Sequence, residues 1–472
     1  AAGLVRKKVD EAFRTLPAEL QAGYSSLDVS LFKRSVIING LHGRGITITR
    51  LSAEGIGFWA ALHSHRLSLR HLLVEGCSLE PTARDTLPPK IDLPFTTVTI
   101  GQVECTNLKA TLHDKGLALQ GQLTLDSLSG PVDSVRPRAV HLALDRFRYL
   151  IPDAGEVIQG RHLELDSRKK LLRLDTLRIV PTLDKEAIGR KRGHQVDVVD
   201  ATIEGISAEG LGIMGLFHHK MTASEIRTES ARIYVFRDRR LPLVRGDKPL
   251  PIESLKALPV TLRVDAVDMG PIFFTYEEYP AKGGQTGRLK IFRLKAHIAP
   301  LINRPEKGDP EYIKVRTEGS LMNSGSVSAT TWMPLHKGDP YRVEGAFHEL
   351  DVTSLNDPAE HLGKLHLESG MLNFLAFKFE MSPEKSTGQI IGEYHNLVVD
   401  KLKDNGKRAG FKSWALKKFI IPRDKDKSLP VKKRTGKVDY KRDPQRYFSY
   451  YLLHSLLVGV KSSFSLGFLL PG

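Results

Sequence analysis

Three runs decide the reading of this chain: Asp351-Val-Thr-Ser-Leu-Asn-Asp-Pro-Ala-Glu360, His366-Leu-Glu-Ser-Gly-Met-Leu-Asn-Phe374 and Gly388-Gln-Ile-Ile-Gly-Glu-Tyr-His-Asn-Leu397. The first is a linker pinned by Asn, Asp and Pro, residues that favour turns through local hydrogen bonds or a fixed φ. The other two alternate in side-chain character, as strands do when one face meets a core and the other meets water. They hold no evident nucleophile, metal cluster or phosphate loop. A surface built from strands is therefore expected to carry the function.

The same pattern extends outward. Val36-Ile-Ile, Ile46-Thr-Ile-Thr-Arg-Leu, Leu67-Ser-Leu-Arg-His-Leu-Leu-Val, Val98-Thr-Ile-Gly-Gln-Val and Leu117-Ala-Leu-Gln-Gly-Gln-Leu-Thr-Leu alternate, with Gly, Asn and Asp between them. Short strands every ten or so residues predict a long antiparallel meander with one apolar face. Leu4, Val5, Val9, Ala12, Phe13 and Leu16 recur at helical spacing before Pro17, which predicts an N-terminal helix over 4–17. An internal echo is also present. Leu51-Ser-Ala-Glu-Gly-Ile-Gly-Phe returns as Ile206-Ser-Ala-Glu-Gly-Leu-Gly-Ile, and Leu93-Pro94 returns as Leu258-Pro259. Residues 27–125 and 190–280 thus read as two copies of one β unit.

The chain has 472 residues, 41% hydrophobic and 26% charged, a globular rather than disordered composition. No apolar run reaches the ~20 residues of a membrane-spanning helix. Its +16 charge is concentrated: Lys401 to Arg442 holds 16 basic and 4 acidic residues, a local +12 that leaves about +4 elsewhere. Such a segment contacts phosphate in nucleic acid or lipid headgroups, or is simply a solvated surface. Asp443-Pro444 predicts the start of a terminal helix rich in Tyr and Phe. Tyr447, Phe448, Tyr450, Tyr451, Leu452, Leu456 and Leu457, with Lys432, Lys433 and Arg434 before them, are the candidate membrane or partner contacts; closing the end of the sheet is the alternative role. The two cysteines, Cys77 and Cys105, read equally well as a cross-strand disulfide in an oxidising compartment or as two buried thiols.

Two clusters invite a chemical reading. His63, His65 and His71, and His218-His219, sit at matched places in the two repeats, which favours a shared structural role over a metal site. Tyr276-Glu277-Glu278-Tyr279 places adjacent carboxylates on opposite faces of a strand, unsuited to paired acid–base work, and reads as a strand edge running into a turn. Nucleophile-elbow, phosphate-loop, dinucleotide and His-Glu-x-x-His motifs are missing, so no enzyme, metal or cofactor is expected.

Leu258-Pro-Val-Thr-Leu-Arg-Val-Asp, Phe274-Thr-Tyr-Glu-Glu-Tyr, Gly319-Ser-Leu-Met-Asn-Ser-Gly, Glu368-Ser-Gly-Met-Leu, Gly388 to Tyr394 and the Ser-Tyr-Tyr-Leu ending resemble the C-terminal half of AsmA-like proteins of Bacteroidetes-type bacteria. Val5-Arg-Lys-Lys-Val and Leu27-Asp-Val-Ser-Leu-Phe resemble the start of that family just after its membrane anchor. The resemblance implies a periplasmic, inner-membrane-anchored envelope protein, the anchor lying outside this chain. It also implies kinship with TamB-like and chorein-type β-grooves that conduct phospholipid. The expectation is a mainly β protein: an elongated, curved antiparallel groove of repeated units, with a short N-terminal helix and a C-terminal apolar helix. Its parts would be a helix over 1–20, β units over 21–190, 191–280 and 281–400, a basic segment over 401–445 and the apolar tail over 446–472. Expected partners are phospholipid or a membrane surface and other envelope-complex subunits, and no nucleic acid. At ~4.8 Å per strand, a groove needs several tens of strands to cross a periplasm, so a complete bridge is not expected of this chain alone.

Overall fold

The computed structural model describes residues 2–16, 21–81, 95–152, 155–402 and 433–463. The protein is mainly β and mostly antiparallel. Its two compact units are Ala1–Val180 with Gly205–Ile213, and Pro181–Glu204 with Met214–Gly472.

In the first unit, helix α1 (Ala2–Thr15) precedes β1 (Ser26–Ser30), β2 (Ser35–Gly43) and β3 (Ile46–Glu54). The short α2 (Phe58–His63) leads into β4 (Arg66–Leu79). Then follow β5 (Thr97–Leu112), β6 (Leu117–Pro131), β7 (Ala139–Leu150), β8 (Glu156–Asp166) and β9 (Leu171–Pro181). Neighbours pair antiparallel from β1 to β4 and from β5 to β8. The pairing of β4 with β5 is parallel, a departure from the predicted meander. In a parallel pair the end of one strand and the start of the next lie at opposite ends of the ladder, as Leu79 and Thr97 do.

Directly paired residues share a face, and the registers place the apolar ones together. One row runs Leu41, Ile48, Cys77; another runs Ile38, Leu51, Val74, Cys105, Leu123, Leu142, Leu165. Alternation breaks at one level in four neighbouring strands: between Ile38 and Leu41, Ile48 and Leu51, Val74 and Cys77, and Cys105 and Leu108. Gly40, Gly76 and Asn107 take left-handed φ of 61°, 65° and 51° there. The out-of-phase residue in each strand keeps the next apolar side chain on the same face, and such irregularities add twist. A Cβ at Gly76 would stand 2.3 Å from Thr49 Oγ1, so the position requires glycine.

The second unit begins with α3 (Lys185–Arg192) and includes most of β10 (Asp197–Glu209), β11 (Lys220–Arg227) and β12 (Ser230–Asp238). Helix α4 (Pro251–Lys256) and the long β13 (Thr261–Tyr279) follow. β13 pairs parallel with β11 through its first half and with β12 through its second. An antiparallel series continues through β14 (Gly287–Ala299), the two-residue β15 (Leu301–Ile302), β16 (Tyr312–Leu321), β17 (Gly325–Pro334) and β18 (Tyr341–Asp351). The linker then forms a 3-10 turn and α5 (Asn356–Gly363), where the Asp351 carboxylate accepts from the Thr353 amide at 3.0 Å. Asn356 clamps Leu367 with two bonds, 2.9 and 2.7 Å, which fixes the entry to β19 (Leu365–Met381). β20 (Lys385–Lys401), β21 (Arg434–Lys441) and α6 (Phe448–Ser463) complete the unit.

The repeated sequences adopt one succession of elements. In each, a strand ends at Glu, a left-handed glycine follows (Gly55, Gly210), then a short helical segment (58–63, 213–218), a left-handed histidine (His65, His219) and the next strand. His65 and His219 are thus backbone turn positions, while His71 lies within β4. Among the described residues, no group of His, Cys, Asp and Glu could hold a metal, and no helix is long and apolar enough to cross a membrane.

Candidate functional site

The two faces of the second unit differ sharply. One row across it reads Val267, Ile298, Val315, Thr331, Val343, Phe379, Gly388, Val438. The adjacent row, one residue along, reads Asp268, His297, Arg316, Thr330, Glu344, Lys378, Gln389, Lys437. Polar partners meet along this row: Asp268 and His297 at 2.7 Å, and the ion pair of Glu344 and Lys378 at 2.6 Å. On the apolar face Val343, Phe379, Ile390 and Val438 are buried, whereas Ile298, Val315 and Ala329 are only half-buried. The apolar face of the first unit is similar. Ile48, Leu69, Cys77, Val98 and Cys105 are buried there, and Leu123, Leu125, Leu142, Leu163 and Leu165 are half-buried.

Helix α6 covers the deeply buried end. Phe448, Tyr451, Leu452, Ser455, Leu456, Gly459 and Val460 form one helical stripe toward β20 and β21. Ser455 and Ser386 share a hydrogen bond of 2.7 Å, and the Tyr451 hydroxyl donates to the Ser382 carbonyl at 3.1 Å. Phe448 packs on Tyr341, ring centres 4.9 Å apart. Gly436 and Gly459 permit close approach: a Cβ on Gly436 would stand 2.0 Å from the Gly459 carbonyl oxygen. The helix also guards the edge of β21, because the Lys437 amide donates to Ser462 Oγ at 3.0 Å. It starts at Phe448 rather than at Asp443-Pro444. Asp443 instead accepts from the Gln445 amide at 2.9 Å in a preceding turn.

The expected contact residues therefore divide. Phe448, Tyr451, Leu452 and Leu456 pack into the core, and Tyr450 stacks on His454 at 3.9 Å. Tyr447 (44%) and Leu457 (40%) are exposed, as is Leu453 (47%), which the sequence reading passed over. Both Arg237 and Lys248 lie over the Tyr447 ring. Lys433 lies over Phe374 at 5.8 Å and Arg434 begins β21, while Lys432 falls outside the described residues.

Cys77 and Cys105 are free thiols, both buried in one cluster with Ile48. Burial raises Cys77 and pushes Cys105 up to about 11, so both are held protonated and unreactive.

Tyr276-Glu277-Glu278-Tyr279 lies at the end of β13, but not at a sheet edge: β12 and β14 flank it. The two carboxylates enter separate ion-pair networks. Glu277, 3% exposed, accepts from Tyr234 (2.6 Å), Thr286 (2.7 Å), Lys185 (3.1 Å) and Arg288 (3.3 Å). Burial alone would raise its carboxyl; these bonds outweigh burial and hold it at about 2. Burial likewise opposes the Lys185 charge, but Tyr234 and Glu277 raise the ammonium above its ordinary value. The pair is locked in its ionised form, which suits anchoring α3 to the sheet rather than proton transfer. An open cavity of about 480 Å³ adjoins it, lined by Leu183, Lys185, Asp200 and Tyr234.

No protein-family model and no curated protein matches this chain.

Proposed function

We propose that this chain is a non-enzymatic, AsmA-like cell-envelope protein of the periplasm that handles phospholipid along an apolar β-groove and contributes to outer-membrane biogenesis. The observation that carries this reading is the half-buried apolar row on an otherwise amphipathic sheet. Leu123, Leu142 and Leu165 are directly paired across β6, β7 and β8, and each keeps part of its surface open. Acyl chains laid on such a face remove apolar area from water on both sides, at roughly 25 cal/mol per Å². The polar face keeps the protein soluble. Mass spectrometry of the gently purified protein is expected to find phospholipid, and Leu123→Asp with Leu142→Asp to abolish it with the circular dichroism unchanged. A lipid-free wild-type protein would sink the reading.

The exposed Leu453 and Leu457 on α6 favour a second reading, an accessory subunit of an envelope complex that docks through its tail. Removing the whole tail would damage the fold, because Tyr451 and Ser455 are core residues. Leu453→Ser with Leu457→Ser is the cleaner test: it should release partner subunits while leaving stability intact, and retained assembly would count against docking.

A further inference from the structure

The first unit exposes two aromatic side chains: Phe32, 98% exposed, and Trp59, 75% exposed. They lie on one rim. Phe32 is in the β1–β2 turn, and Arg34, two residues on, ties that turn to the loop before α2. Its guanidinium donates to the carbonyls of Ile56 (3.0 Å) and Gly55 (3.4 Å), and the Ile56 amide donates to the Arg34 carbonyl at 2.9 Å. Trp59 follows Ile56 by three residues. The rim continues through backbone bonds from Thr96 to His65 and from Val132 to Thr96. Val132 and Val135 pack in the same cluster as Ile56 and Phe58.

Exposed basic residues lie on the segments that these backbone bonds join. Lys33, Arg66, Arg136 and Arg138 are exposed, while Glu54 is paired with Arg70 at 3.5 Å and Asp126 with Arg168 at 3.0 Å. The repeat gives an internal comparison. The position matching Trp59 in the second copy is Met214, half-buried, so the helical turn itself does not call for a protruding aromatic.

We infer that this rim docks on an anionic membrane surface, with Phe32 and Trp59 entering the headgroup region and Lys33 and Arg66 meeting lipid phosphates. Phe32 stands almost wholly in solvent next to Lys33, the arrangement that suits a bilayer interface, where an aromatic body partitions and basic side chains meet negative headgroups. The inference rests on the envelope reading only for the presence of such a membrane; carriage of lipid is a separate property.

The test uses the full chain with Trp332→Phe and Trp414→Phe, so that Trp59 is the sole indole. It is mixed with brominated phosphatidylcholine vesicles, with and without phosphatidylglycerol. Phosphatidylglycerol vesicles are expected to quench Trp59. Phe32→Ala should weaken partition on the order of tenfold, and Lys33→Glu with Arg66→Glu should remove the preference for phosphatidylglycerol. Phe32, Lys33 and Arg66 are exposed, and unchanged thermal melts verify folding of every variant. Absence of quenching, or partition unaffected by Phe32→Ala, would overturn the inference. Mass spectrometry of the Phe32→Ala, Trp59→Ala protein separates docking from carriage: co-purifying lipid should persist when vesicle binding is lost.

Discussion

At the scale of single residues, positions that alternation cannot explain govern the fold. Gly436 sits where a methyl group would meet the backbone of α6. Gly436→Ala should cost about 1–3 kcal/mol, the usual range for overpacking, measurable by urea unfolding. Glu277 supplies a pH prediction. Its carboxyl is lowered in the folded protein to about 2 from an ordinary 4.5. The stability it contributes is therefore fully present above about 4.5 and is lost as pH falls through that value toward 2. Glu277→Gln should remove that part of the acid dependence. It should also destabilise by about 1–3 kcal/mol at neutral pH, because Lys185 and Arg288 lose charged hydrogen bonds to Glu277 but remain partly solvated. Equal acid midpoints for the two proteins would refute this role. The sequence displayed both glutamates, and strand geometry correctly sent them to opposite faces. Their ion-pair partners were illegible, because Lys185 and Tyr234 lie 92 and 43 residues from Glu277.

At the scale of elements, strand identity was legible because period-two patterning is local. Strand partnership was not. The parallel joins of β4 with β5 and of β13 with β11 and β12 depend on crossovers that leave no mark on the alternation itself. The breaks at Gly40, Gly76 and Asn107 did leave a mark: two apolar residues three apart inside an alternating run, with glycine or asparagine between them. The amphipathic stripe of α6 was equally readable as a membrane or partner surface, since burial of a stripe does not specify what buries it. Ending the chain before Phe448 would bare Ile390 and Val438 and leave the Lys437 amide unguarded. Such a protein is expected to bind a hydrophobic dye and to aggregate. A soluble monomer with native circular dichroism would show that α6 is dispensable.

At the scale of the whole molecule, the candidate surface was partly legible. Alternation announced an apolar face, and repetition announced that similar units extend it. How open that face is depends on what packs over each row, a long-range outcome: α6 seals β20 and β21 while Ile298 and Val315 keep part of their surface. The exposed aromatic rim was invisible in the sequence, because Phe32 follows an alternating run and reads as its continuation.

The first and the last strand each have a main-chain group capped by a helix side chain. On β1, the Arg6 guanidinium of α1 donates to the Leu27 carbonyl at 2.7 Å; on β21, Ser462 accepts from the Lys437 amide. A sheet with free margins is a template that converts any passing extended chain into its next strand. In each unit, a helix side chain occupies one main-chain group on such a strand and withholds that group from an incoming chain.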